Sequence, residues 1–198
     1  MKILKISSQK LEKAKLISIA ALLKQGKVII FPTDTVYIPL ADATNRKAVK
    51  KVFLIKKRSQ KNPLPLFVKD IKAAKKLAKI NKIQEGFLET VWPGKITIVL
   101  KRKKTKINLF GVGRKTIALR IPNFKPVNFL LGILGKPLVG TSANISGKPA
   151  SGNLKEVLSQ FKNKKHQPDL VIDVGNLPKR KPSTVLDLTT FPPKILRP

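Results

Sequence analysis

Short apolar runs with strand character alternate with stretches of helical periodicity along almost the whole chain. The strand-like runs are Lys27–Phe31, Leu64–Val68, Lys95–Leu100, Thr116–Ile121, Pro137–Gly140, Leu170–Val174 and Ser183–Leu188. The first helix is expected from a Ser8 cap to Lys24, with Leu11, Ala14, Ile17, Ala20 and Leu23 near helical spacing and Gly26 as the stop. A Thr44 cap opens the second, which carries Ala48, Val49, Val52 and Phe53, and an Asp70 cap opens a third to about Ile80. Further helices are expected over Ile83–Val91, Pro126–Leu134 and Leu154–Phe161. This alternation specifies an α/β fold, and 198 residues suit one domain, 1–198. Period-two patterns make Lys95–Leu100 and Thr116–Ile121 neighbouring antiparallel strands. Pro65 marks its strand as an edge or a strand start. The basic segment Lys101–Lys115, with Gly111 and Gly113, is a candidate mobile loop, and Lys179–Pro182 a basic turn.

Composition removes whole classes of chemistry. There is no cysteine, hence no disulfide framework, thiolate metal site or thiol nucleophile, and His166 stands alone. No apolar run reaches the roughly 18–20 residues of a membrane span, and Met1–Lys5 lacks a signal-peptide core, so we expect a soluble cytoplasmic protein with no membrane partner. The sequence holds no phosphate-binding G-x-x-x-x-G-K-[ST], no G-x-G-x-x-G and no Gly-x-Ser-x-Gly. With 42 Lys+Arg against 10 Asp+Glu the net charge is +32, yet only seven of the cations are arginine. A lysine coat of this kind reads either as compositional bias or as affinity for polyanions. In both cases it draws RNA non-specifically and salt-dependently.

Four polar clusters interrupt the apolar elements, each near a strand end, where α/β sheets place ligands. Pro32–Tyr37 offers Thr33, Asp34 and Thr35 to an amino-acid-like ligand, and equally fits an Asx/ST turn with a helix cap. Lys56-Lys57-Arg58 with Asn62 closes a helix and fits either a phosphate clamp or cations at the helix dipole. Thr141–Asn144 with Ser146-Gly147 supplies small neutral donors beside a helix starting near Asn153, or simply caps that helix. Ser183–Asp187 and the terminal Ile195–Pro198 form the fourth; the end of the chain also reads as frayed.

In this order the clusters resemble the YrdC/TsaC family, the L-threonylcarbamoyladenylate synthases. The pieces that carry the resemblance are FPTDTVY, KKVFLIKKRSQKNPL, WPGKITIVL, IALRIP, KPLVGTSANISGKP, STVLDL and ILRP, spanning about Ala14 to Pro198. The resemblance implies a YrdC-like twisted mixed sheet with flanking helices around a deep basic cavity, in the short form that stops at ILRP. It implies synthesis of threonylcarbamoyl-AMP and pyrophosphate from L-threonine, bicarbonate or CO2, and ATP, a nucleotidyltransferase reaction that serves t6A formation at tRNA position 37. The partner is then the tRNA threonylcarbamoyltransferase machinery. Carried over residue by residue, Lys56, Arg58, Ser142 and Asn144 take the catalytic nucleotide set, extended to Asn62, Ser151 and Arg197 for ATP. Thr33, Thr35, Arg120, Ser142 and Ser183 take threonine, with Arg120 pairing the carboxylate. Mg2+ rides on the ATP phosphates, with no metal held by the protein.

Three positions depart from the family pattern. Ile38-Pro39-Leu40 replaces Gly-Leu-Gly, Lys56-Lys57-Arg58-Ser59 replaces Lys-Gly-Arg-Pro, and Phe67 stands where many members have histidine. The first motivates an alternative, a catalytically degenerate YrdC-like RNA-binding protein. The chain's sparse aromatics, one Trp, one Tyr and nine Phe mostly in apolar runs, argue against sequence-specific RNA reading.

Overall fold

The computed structural model describes residues 1–6 and 12–198. The elements run β1 (Lys2–Lys5), α1 (Lys13–Lys24), β2 (Ile29–Phe31), β3 (Ile38–Leu40), α2 (Arg46–Lys56), β4 (Leu66–Phe67), α3 (Ile71–Leu77) and α4 (Lys82–Val91). They continue with β5 (Ile96–Lys101), β6 (Thr116–Arg120), α5 (Lys125–Leu134), β7 (Leu138–Val139), α6 (Leu154–Phe161), β8 (Leu170–Asp173), β9 (Thr184–Asp187) and β10 (Lys194–Arg197). The α/β class is as expected, and β5 and β6 pair antiparallel, Ile98 opposite Leu119.

The strands form two mixed sheets, ordered β1-β8-β2-β3 and β10-β9-β5-β6-β4-β7. Their edges meet at β3 and β7. Asp42 and Leu138 form an antiparallel bridge, the Val139 N–H donates to the Ala41 carbonyl at 2.8 Å, and the Ala43 N–H donates to that of Pro137 at 3.1 Å. The bridge joins the sheets edge to edge. β2 is a run of apolar residues because both its faces are covered. Ile29 and Phe31 point to the core shared with α1 and α5, and Ile30 points to the larger core shared with α2, α3, α4 and α6.

Several local expectations change for identifiable reasons. The cap of α2 is Asn45, whose side chain accepts from the Ala48 N–H at 3.0 Å. Thr44 is unavailable because its N–H and hydroxyl both donate to Asp42 Oδ1, at 2.7 and 2.6 Å. The Ser8 cap and Leu11 lie outside the described residues. The third helix ends at Leu77, since Ala78 bridges to Arg102 and the Lys79 N–H donates to the Lys101 carbonyl. β4 is interior rather than an edge, and Pro65 immediately precedes it, where a missing N–H removes no ladder bond. Residues 101–115 are tied down. The Phe110 N–H donates to the Ala43 carbonyl at 3.0 Å, the Leu64 N–H donates to Gly111 at 2.7 Å, and Leu109 is buried. Gly111 has φ +69°, and a Cβ there would lie 2.7 Å from the Val49 side chain. β1, β3 and β10 have no counterpart in the sequence reading; the terminal segment pairs with β9 instead of fraying.

Tyr37 fixes how the chain returns from β8 toward the second sheet. Its hydroxyl donates to the Gly175 carbonyl at 2.6 Å and accepts from the Val174 N–H at 3.3 Å, and burial raises its pKa to about 12. Tyr37→Phe leaves both backbone groups without their partner. We expect a stability loss of about 1–2 kcal/mol in urea unfolding; an unchanged midpoint would show that water replaces the hydroxyl fully.

Candidate active site

A cavity of about 400 Å³ opens where β5, β6, β9 and β10 meet the turns after β2 and β7. Thr35, Arg58, Arg120, Ser142, Ser183 and Arg197 all line it, so six separated stretches of sequence converge on one space. No carboxylate is among its lining residues. Three guanidiniums without a lining acid make a site for an anion.

Arg120 ends β6 and is 2% exposed. Its Nη2 donates to both oxygens of Asp34 at 2.7 Å, its Nε to the Gly94 carbonyl at 2.8 Å, and its Nη1 to the Thr35 hydroxyl at 3.4 Å. The guanidinium lies 5.5 Å from the centre of the Phe67 ring on β4. Burial pulls its pKa down, Asp34 opposes this and the nearby Arg197 charge adds to the lowering; a guanidinium stays charged regardless. The Trp-Pro-Gly segment earns its composition here. A Cβ on Gly94 would sit 2.2 Å from the Val91 carbonyl oxygen, so only glycine turns tightly enough to present its own carbonyl to Arg120. Gly140 is similarly required, because a Cβ would meet the Phe67 ring at 2.4 Å.

The segment after β2 makes a hairpin turn into β3; no helix follows it. The Thr33 hydroxyl donates to the Val36 carbonyl at 2.7 Å and accepts from the Thr35 N–H at 3.1 Å, which places Thr35 toward the cavity while Thr33 stays buried beneath. The Asp34 carboxylate, offered by the sequence to a ligand, faces Arg120 and also accepts from the Asn123 N–H at 3.2 Å. With Nη2 engaged, Arg120 has one Nη1 N–H left for a ligand, so the fork-like pairing expected of it is not open in this arrangement.

Lys56 lies below the cavity floor rather than in it. Its Nζ donates to the Ser142 carbonyl at 2.5 Å, the Asn144 carbonyl at 2.8 Å and Asn144 Oδ1 at 3.3 Å. Burial first, and the Arg58 charge second, lower its pKa to about 7. Three oxygens around one nitrogen need three N–H donors, so the geometry holds the ammonium form at neutral pH. The Ser142 hydroxyl in turn donates to Asn144 Oδ1 at 2.6 Å. Lys56 thus knots the loop after β7 and leaves Ser142 on the cavity wall.

Arg58 and Arg197 face the cavity from opposite ends of the sequence. Arg58 donates through Nε to the Asn62 carbonyl at 2.8 Å and through Nη2 to the Pro63 carbonyl at 2.9 Å, leaving Nη1 free. Asn62 therefore touches the site through its backbone. Arg197 donates from Nε and Nη2 to the Ser183 carbonyl, which holds β10 against the start of β9. Burial lowers both pKa values, and their mutual repulsion lowers that of Arg58 further. Ser183 also pairs its hydroxyl with that of Thr97 at 2.8 Å. Ser151 is not on the cavity wall. Its hydroxyl donates to Glu156 and accepts from the Asn153 N–H, and Asn153 caps α6, so that helix N-terminus is already satisfied. Sequence reasoning passed over Thr97, Gly140 and the pairing of Asp34. A buried acid among so many cations was the available signal for the last.

Fold and site together define an α/β protein whose mixed sheets frame a cavity lined by three arginines. The Sua5_yciO_yrdC family model, described as telomere recombination, matches residues 21–198, and the chain belongs to that family. It is 34% identical over 191 residues to a threonylcarbamoyl-AMP synthase of Pyrococcus abyssi, covering 96% of this chain and 55% of that protein. A putative threonylcarbamoyl-AMP synthase of Methanocaldococcus jannaschii is 37% identical over 163 residues, 82% of this chain and 75% of the relative. The structure of P. abyssi Sua5 complexed with L-threonine superposes with a TM-score of 0.87 at 34% identity, over 100% of this chain and 57% of that one. The chain thus spans little more than half the length of the Pyrococcus protein. E. coli YciO, at 24% identity and a TM-score of 0.86, shares the fold.

The hydrogen-bond pattern separates the two cations of the Lys-x-Arg motif. Lys56→Ala removes three charge-assisted hydrogen bonds and leaves the buried Asn144 carbonyl without its donor, and we expect it to cost about 3 kcal/mol of stability. Arg58→Ala leaves two outward carbonyls to water and should change stability by less than about 1 kcal/mol. Chemical denaturation of the two variants side by side checks this; equal losses would contradict the distinction.

Proposed function

We propose that the protein is an L-threonylcarbamoyladenylate synthase, joining L-threonine, bicarbonate or CO2, and ATP into threonylcarbamoyl-AMP with release of pyrophosphate. The observation that carries the reading is that the three arginines of one cavity are in two different chemical states. Arg58 and Arg197 have free guanidinium N–H groups and no acid to quench them. Arg120 is paired with Asp34 and presents a single donor next to the Thr35 hydroxyl. The first pair suits a triphosphate and Arg120 an amino-acid carboxylate. The P. abyssi relative that binds L-threonine supports the assignment of the amino acid.

In this reading the threonine carboxylate meets Arg120 Nη1, with Thr35 and Ser183 lining the same cavity and Thr33 supporting Thr35 from below. The threonine amine attacks CO2 and gives up a proton to solvent, forming a carbamate whose oxygen attacks the α-phosphorus of ATP. The bond from that phosphorus to the bridging oxygen breaks and pyrophosphate leaves. Arg58 and Arg197 stabilise the charge that develops on the phosphates. Lys56 and Asn144 hold Ser142 in place, Asn62 shapes the Arg58 side, and Ser151 acts no closer than the α6 cap. The reaction needs alignment and charge stabilisation, with no protein nucleophile. Mg2+ belongs to the nucleotide here, carried on its phosphates, since the cavity wall offers no carboxylate to hold it. The adenylate then serves the tRNA threonylcarbamoyltransferase machinery.

The test is pyrophosphate release with each substrate omitted in turn. We expect release to require L-threonine, bicarbonate and ATP together; release that ignores threonine would refute the synthase. Arg58→Ala should lower turnover by roughly one to three orders of magnitude at saturating ATP, by removing charge placed where phosphate charge develops. A near-normal rate in that variant would move the nucleotide elsewhere.

A further inference from the structure

Asp34 has no place in the reaction as described above, yet it is one of the few buried acids in a strongly cationic chain. It is 8% exposed and does not line the cavity. It touches the cavity only through Arg120, taking both Nη2 donors at 2.7 Å. Its backbone carbonyl is held from outside by Arg180 Nη1 at 2.9 Å, and its second oxygen by the Asn123 N–H. Arg180 is exposed and is not a lining residue. The carboxylate is therefore fixed by three contacts that do not depend on any ligand.

This has an electrostatic consequence. Three guanidiniums share one small cavity, and each alone would attract phosphate. Asp34 cancels the charge of one of them and blocks the side from which a phosphate or a carboxylate would be gripped by two parallel bonds. The other two keep their full charge and their free Nη1 groups. We propose that Asp34 is a selectivity residue: it reserves Arg120 for a singly charged carboxylate and confines phosphate anions to Arg58 and Arg197. Without it, pyrophosphate or the nucleotide's own phosphates would occupy Arg120 as well and exclude the amino acid. The inference rests on the synthase reading, and it makes Asp34 a positioning residue that acts through Arg120.

The experiment is a calorimetric titration of L-threonine into the full chain, with and without saturating inorganic pyrophosphate. It is run on wild type, Asp34→Asn, Asp34→Ser and Asp34→Glu, each checked for folding by circular dichroism. In wild type and Asp34→Glu, pyrophosphate should leave threonine affinity within about twofold. In the neutral variants it should compete, weakening apparent threonine affinity by about tenfold or more, as expected when a unit of opposing charge is removed at contact distance. The two neutral variants keep the test open if one fails to fold. A purely structural role would weaken threonine binding in the neutral variants with or without pyrophosphate and create no competition. Threonine affinity in a folded neutral variant that ignores pyrophosphate overturns the proposal, as does competition already present in wild type. Absence of threonine binding to wild type would instead remove the synthase reading itself, and this inference with it.

Discussion

A guanidinium that is 2% exposed must be paired, and the partner of Arg120 sets the arrangement around it. Asp34 comes from the turn between β2 and β3 in one sheet, and Arg120 from the end of β6 in the other. The Gly94 carbonyl comes from the turn before β5, and the aromatic surface from Phe67 on β4. One side chain thus ties four segments, and the two sheets are fixed relative to each other at the point where the cavity opens. Removing either charge would leave the other buried without compensation, a change of about 3–5 kcal/mol in comparable buried pairs. The same interaction that holds the sheets together also sets how many donors face the ligand.

A second buried cation organises the opposite wall. Lys56, at the last turn of α2, pulls the backbone after β7 into a knot around Asn144, and the Ser146 N–H donates to the Lys56 carbonyl at 2.8 Å. Arg58, two residues on, follows an αL residue at Lys57 with φ 48°. The turn sends the two cations in different directions, one under the floor and one to the wall. The family pattern has glycine at that point, and the strain of a non-glycine αL residue is modest for a single exposed lysine.

Much of the fold could be read from the chain. The apolar run of β2, the period-two pattern of β5 and β6 and the boundaries of α6 are set by local sequence, and all appear as expected. β1 and β10 escaped because both are exposed strands whose pairing partners, β8 and β9, lie far off or across an irregular turn. β3 escaped because Pro39 reads as a breaker, whereas the buried run Ile38–Leu40 pairs with β2 in full register. For the site, the residues that converge were legible only through the order of the motifs. Their division was not: Lys56 and Arg58 look alike in sequence, and only the placement of the carbonyls after β7 tells the buried cation from the cavity-lining one. The pairing of Asp34 with Arg120, 86 positions apart, is likewise a product of sheet topology.

The wider charge has a plainer role. Among the described residues four ion pairs form, and two of them, Lys75–Glu85 and Lys136–Asp42, involve an exposed lysine. Such pairs contribute little to stability, and the net potential is left to draw anions toward the cavity. The central claim is that one cavity holds a polyphosphate and an amino acid side by side on arginines in different pairing states. A crystal structure with L-threonine and a non-hydrolysable ATP analogue tests it most directly. The account predicts triphosphate oxygens against Arg58 and Arg197 and the threonine carboxylate at Arg120 Nη1 and Thr35, with Asp34 still on Nη2. Phosphate oxygens at Arg120, or threonine bound away from Thr35, would contradict it.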